Sequence, residues 1–240
     1  MTRLTTNACP ESTAERASIE IARALESARE ERGVAHLALS GGSTPARTYE
    51  LLAGALENWD SVEIWFADER CVPPEDQASN YRLTAETLLI PAGIDPARVH
   101  RMEGELGPNE GARRYANVLR EDVSLDASEL PVLDLIVLGI GPDGHVASLF
   151  PGAPTLDAEA QAICLAVLDS PKPPPERITL SLAVLRAARR CLLLATGAGK
   201  ADAIAAALAE PSNHVPASLL VRERLTVIVD DAASPTPVQG

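Results

Sequence analysis

Short aliphatic runs recur along the chain, separated by longer stretches in which apolar residues return every three or four positions. The runs 34–39, 62–66, 133–138, 191–195 and 225–229 are nearly unbroken, as strands covered on both faces are. Weaker strand patterns stand at 162–168 and 178–182, with a short one at 99–101. Between them, Ala17, Ile21, Leu25 and Ala28 form a helical stripe that Ser12 or Thr13 caps and Gly33 stops. Further helices are expected through Tyr49, Leu52 and Leu56, from a cap at Ser79 or Asn80 through Leu88, over 108–123, after 182, and over 201–208. His36 reads as a polar residue at its strand's edge, and 234–240 as a loose tail. Strands alternating with helices predict a single α/β domain over 1–240. Its sheet is expected to be single, open, twisted and mostly parallel, with helices on both faces, a Rossmann-like layout.

Three glycine turns follow three of these strands, and ligands of open α/β sheets sit beyond strand carboxyl ends. After 133–138 come Gly139, Gly141, Pro142 and Gly144, with Asp143 and His145 beside the turn. A histidine there can exchange protons near neutral pH. The spacing of Gly139, Gly141 and Gly144 also satisfies the dinucleotide fingerprint. Pro151, Gly152 and Pro154 leave room for only about two helical turns, where that fingerprint requires a long helix. After 34–39, the run Ser40, Gly41, Gly42, Ser43, Thr44 and Pro45 joins freed amides and hydroxyls to a helix start, an anion cradle. After 191–195, Thr196, Gly197 and Lys200 fail the Walker pattern, because Leu194 replaces its first glycine and Ala201 its hydroxyl. Lys200 can still reach a phosphate. The strand 62–66 ends in Asp68, Glu69 and Arg70, three charges on the same predicted ligand side.

Composition narrows the partners. The 240 residues carry a net charge of -13, with a pI near 4.8 and a mean hydropathy of +0.02. Nucleic acid and anionic membranes demand basic surface, so neither is expected. A small anion is compatible, since a few Arg and Lys focus a local field. Aromatic residues make up only 3%, so the core must be aliphatic. Cys9, Cys71, Cys164 and Cys191 are scattered without a C-x-x-C pair, which suits reduced thiols in a cytoplasm. No run approaches the length of a membrane span. The four histidines are far apart and lack metal-ligand spacing, so no metal site is expected.

Taken together and in order, the motifs resemble the 6-phosphogluconolactonase branch of the glucosamine-6-phosphate isomerase/6-phosphogluconolactonase family. The matching pieces are 39–45, Asp68 to Arg70 with Ser79, Asn80 and Tyr81, and Gly139 to His145 with Ser148 to Pro151. The runs 173–180, Thr196 and Gly197 with Lys200, and 216–230 complete the set. The resemblance implies an open α/β domain in the cytoplasm that hydrolyses 6-phospho-D-glucono-1,5-lactone to 6-phosphogluconate in the pentose phosphate pathway. It implies no metal and no organic cofactor. A lactone is an activated ester, so water, a base, a stabilised oxyanion and a phosphate anchor suffice. His145 is then the general base, and Asp143 orients its ring or contacts the sugar. Gly41, Gly42, Ser43 and Thr44, with Arg70 and Lys200, would hold the phosphate; Asp68 and Arg177 are further substrate contacts. Val146 departs from the Thr that such lactonases often carry. The alternatives are the amino-sugar phosphate isomerase/deaminase branch and a non-catalytic sugar-phosphate sensor. In that deaminase branch the stretch after the histidine reads His-Ile-Ala-Phe-Asn-Glu-Pro, and Phe150 stands where its glutamate would be. A sensor would need a partner-binding or DNA-binding appendix, and the chain shows no helix-turn-helix appendix or basic patch. The oligomeric state is left open, a monomer being compatible.

Overall fold

The five long apolar runs lie side by side in one sheet. The computed structural model describes residues 2–235. In chain order its regular elements are β1 (Arg3–Asn7), α1 (Pro10–Arg32), β2 (Ala35–Leu39), α2 (Ser43–Ala55), β3 (Val62–Phe66), β4 (Asp68–Arg70) and α3 (Asn80–Thr84). Then follow α4 (Pro108–Asp122), β5 (Leu135–Gly139), β6 (Cys164–Val167), β7 (Arg177–Leu180), α5 (Leu182–Ala187), β8 (Cys191–Ala195), α6 (Ala201–Leu208) and β9 (Leu225–Asp230). The main sheet has the order β1-β9-β8-β5-β2-β3, and every pair in it is parallel. It is open, as expected, with helices packed on both faces.

Strand parity divides the core. Leu37, Leu39, Val137, Leu192, Leu194 and Ile228 face α1 and α2, where Ile21, Leu25, Tyr49 and Leu52 are buried. The alternate residues Ala38, Ile136, Leu138, Leu193, Val227 and Val229 face α4, α5 and α6, against Tyr115, Leu119, Val184, Leu185 and Ile204. Both faces of the inner strands β2, β5 and β8 are thus dry, which is why their runs carry no alternation in the sequence.

From β2 the chain adds β3 on one side, whereas β5 joins β2 on the other. The strand order therefore reverses between β2 and β5. At such a switch point the following loops diverge and leave a crevice at the strands' carboxyl ends. Those two loops are the 40–45 and 139–145 turns.

A second sheet was not expected. β4, β7 and β6 form an antiparallel three-stranded sheet, joined to the main one at Ala67. Its N–H donates to Leu39 O at 2.8 Å, and its carbonyl accepts from Leu180 N at 2.8 Å. Asp68 to Arg70 hid this strand, since three charges in a row show no apolar pattern. β1 was hidden likewise, with one apolar residue in five.

Local readings also shift. α1 begins at Pro10 with Cys9 at its cap, and the expected caps lie inside the helix. Ser12 and Thr13 instead donate back to Cys9 O, at 3.0 and 2.9 Å. Gly33 ends the helix as expected, with φ 79° and its N–H on Arg29 O. The expected strand at 99–101 is only a bridge from Val99 to Ile64. His36 is not at an edge. β2 lies between β3 and β5, and the buried His36 accepts a hydrogen bond at Nδ1 from Trp65 Nε1, 3.1 Å away. Burial lowers its pKa. The four cysteines are free. Among the described residues no helix is long and apolar enough to cross a membrane. The tail residues 236–240 lie outside those described.

Candidate active site

The crevice at the switch point is a cleft of about 310 Å³. Its walls include Gly41, Gly42, Ser43, Thr44, Asp68, Arg70, His145, Arg177 and Lys200. Nine of the ten residues singled out in the sequence therefore meet in one place. The tenth, Asp143, stands behind His145, its Oδ1 2.5 Å from Nδ1.

The histidine is placed by its turn. Gly141 N donates to His145 O and Gly144 N to Gly141 O, each at 3.0 Å, which closes a loop after β5. Gly141 is required by close approach. A Cβ there would sit 2.0 Å from His145 Nδ1 and 2.3 Å from Asp143 Oδ1. Gly144 has φ +81°, where other residues are strained. The ring of Phe150 packs 4.7 Å from the imidazole, centre to centre. Val146 is wholly buried in the aliphatic core.

Burial is the main force on His145 and lowers its pKa, aided by the Lys172 charge and opposed by Asp143 and Asp68. Burial pushes the Asp143 carboxyl up, but the hydrogen bond and charge of His145, with Lys172, outweigh it and lower its pKa. Asp143 is thus an ionised acceptor, and Nδ1 carries the proton it accepts. Nε2 is left as the basic nitrogen.

The opposite wall comes from β4 and β7. Alternation along β4 sends Asp68 and Arg70 to the cleft and Glu69 away from it. Glu69 is buried and accepts from Arg70 N, Ser79 Oγ, Asn80 N and Tyr81 N at 2.7–3.0 Å, so it anchors the start of α3. Ser79 Oγ caps that helix by accepting from Arg82 N. Asn80 donates to Asp68 O and Oδ1, and Ser148 donates to Asp68 Oδ2 at 2.7 Å. Asn80 also fills the space a Cβ on Gly41 would need.

The cations differ in what they have left to offer. Arg177 donates to the carbonyls of Lys172, Pro173 and Pro174, so most of its guanidinium holds the 170–177 segment. Arg70 donates to Ala78 O, and its Nε is buried without a hydrogen-bond partner. Lys200 donates to Ile140 O at 2.7 Å. Burial, then repulsion from Lys172, lowers its pKa. At the cradle, Gly42 caps α2 with φ 118°, no acidic residue occupies the first turn, and Thr44 Oγ1 meets Thr196 Oγ1 at 2.7 Å.

Two cleft residues escaped sequence reasoning. Lys172 lies in a Pro-rich stretch that reads as a connection, yet its ammonium reaches 3.3 Å from His145 Nδ1. Asn80 reads as a helix cap. Among the described residues no three His, Cys, Asp or Glu side chains come together to hold a metal ion.

The family model for glucosamine-6-phosphate isomerases/6-phosphogluconolactonase matches residues 8–229. The chain belongs to that family. A 6-phosphogluconolactonase of Homo sapiens is 39% identical over 209 residues, covering 82% of this chain and 79% of that protein. One from Streptomyces coelicolor is 36% identical over 233 residues, covering 92% and 89%. The crystal structure of a 6-phosphogluconolactonase from Shewanella baltica superposes with a TM-score of 0.83 at 30% identity, over 96% of this chain and 98% of that one. All the residues assembled in the cleft fall within the 222 positions that the family model spans, including the turn that presents His145.

Proposed function

We propose that this protein hydrolyses 6-phospho-D-glucono-1,5-lactone to 6-phosphogluconate, the lactone step of the pentose phosphate pathway. The observation that carries the reading is a partly buried imidazole, oriented through Nδ1 by one ionised carboxylate, in a cleft with cationic walls. His145 Nε2 takes a proton from water as the water oxygen bonds to the lactone carbonyl carbon. The tetrahedral adduct then expels the ring oxygen, which receives that proton from His145. The carboxylic acid so formed ionises to the product. No covalent enzyme intermediate is needed, because the substrate is already an activated ester. The cradle at 41–44, Arg70 and Lys200 hold the phosphate by charge-assisted bonds. The compartment we assign is the cytoplasm, on the scattered thiols.

Phe150 argues against the deaminase branch. The ring against the imidazole is phenyl, which neither accepts a proton nor polarises a histidine. The purified protein should accelerate 6-phosphogluconolactone hydrolysis above the spontaneous rate and release no ammonia from glucosamine 6-phosphate. Ammonia at enzymatic rates, with lactone loss no faster than in buffer, would reverse the assignment.

The phosphate anchors have their own test. Arg70→Ala and Lys200→Ala should each lower kcat/KM for the phosphorylated lactone by about 10–100-fold, mainly through KM, given the strength of bonds between charged groups. Unphosphorylated gluconolactone should be a poor substrate for all three proteins and be little affected. Equal losses on both lactones would remove these cations from the phosphate site.

A further inference from the structure

The Pro-rich segment at 170–177 delivers an ammonium to the back of the histidine, and its backbone is fixed for that purpose. Ser170 Oγ donates to Lys172 O at 3.0 Å and accepts from Lys172 N at 3.2 Å. Ser170 N donates to Pro175 O, closing the segment on itself. Arg177, 4% exposed, donates to Lys172 O and to the two carbonyls that follow. From this pinned position Lys172 Nζ lies 3.3 Å from His145 Nδ1 and 3.5 Å from Asp143 Oδ1. Asp143 Oδ1 therefore faces both the imidazole and the ammonium.

We propose that Lys172 is a positioning residue whose ammonium, set against the His145–Asp143 pair, keeps the imidazole neutral and its carboxylate partner ionised. The inference rests on His145 acting as a base. Two opposed fields act on the ring. Asp143, in contact, and Asp68, across the cleft on β4, favour the imidazolium. Lys172 is the cation that opposes them. The other cleft cations do not donate to the ring: Lys200 donates to Ile140 O, Arg177 to the segment's backbone and Arg70 to Ala78 O. Phe150 adds no charge. Without Lys172 the carboxylates act unopposed, and protonation, which destroys the base, sets in at higher pH. The ammonium also balances the Asp143 charge, so the carboxylate stays available to orient Nδ1.

The sign is testable in the whole protein by two independent readouts. The titration of the His145 ring protons is followed by NMR in wild type, Lys172→Met and Lys172→Arg, with the signal assigned by its loss in His145→Gln. The acid limb of kcat/KM for the phosphorylated lactone is recorded for the same proteins. In Lys172→Met the midpoint and the limb should both move to higher pH. On the limb, activity relative to the variant's own plateau should be about threefold lower than in wild type, as suits a half-exposed charge pair. Lys172→Arg, which restores a cation, should move both back toward wild type. The position of the limb is the readout, whatever the plateau does. An unmoved midpoint in Lys172→Met overturns the proposal, and so does a raised KM with an unmoved limb, which would make Lys172 a phosphate ligand. The NMR arm needs no turnover. A wild type without lactonase activity would defeat the functional reading and leave the electrostatic one to be judged by the titration.

Discussion

His145→Gln should lower kcat by about 10²–10⁴-fold and leave KM nearly unchanged, because a general base works in the transition state. Glutamine keeps a polar side chain of similar reach but has no nitrogen able to take a proton at neutral pH. The turn closed by Gly141 and Gly144 uses backbone groups, so the fold should survive. In wild type, kcat/KM should fall on the acid side with a midpoint below the ordinary imidazole pKa of 6.5, since burial and Lys172 together outweigh the carboxylates. That limb should vanish in His145→Gln. Spontaneous lactone hydrolysis must be subtracted at each pH. A variant that retains wild-type kcat and the same limb would exclude His145 from the chemistry.

Gly141→Ala should be nearly as damaging, though it adds one methyl and removes nothing. The new Cβ would stand 2.0 Å from His145 Nδ1, 2.1 Å from Cε1 and 2.3 Å from Asp143 Oδ1, all far inside contact distance. The imidazole and carboxylate are side-chain ends and can swing away, so the turn need not unfold. Moving them breaks the 2.5 Å bond that orients the ring. Misplacing a catalytic group by about 1 Å can cost about 10²-fold, and a loss of that order in kcat is expected with an unchanged circular dichroism spectrum. Near-normal kcat would mean that the His145–Asp143 contact does not matter to turnover.

What was legible in the sequence followed from burial. Strands covered on both faces are largely apolar, so β2, β3, β5, β8 and β9 announced themselves. The glycine turns after β2 and β5 were equally plain, because a backbone that must bend sharply or let a side chain approach closely tolerates little else. The hidden parts have their own reasons. β4 is built from Asp68, Glu69 and Arg70, and each charge is accommodated by partners outside the strand: Ser148 for Asp68, the start of α3 for Glu69, Ala78 O for Arg70. No periodicity records such partners. Lys172 escaped because its role depends on meeting a residue 27 positions earlier, a consequence of how the small sheet folds over the cleft. His36 misled because a polar residue suggests an edge, while its donor, Trp65, stands on the neighbouring strand.

β1 has a bearing on how the molecule is made. Among the described residues its only strand partner is β9, and the link between Asn7 and Val229 spans 222 positions. β1 is synthesised long before β9 and must wait for it before it can join the sheet. Until residues 225–230 exist, β8 has an open flank; until β1 then docks, β9 has one. Such distant pairings form late and reopen early, because closing a long loop costs entropy before any contact is gained. The edge strand that finally results is short, half-exposed and carries Arg3 and two threonines, features that discourage a neighbouring chain from adding to it. The nascent chain lacks that protection, and its vulnerable moment is the interval between completion of β9 and the return of β1.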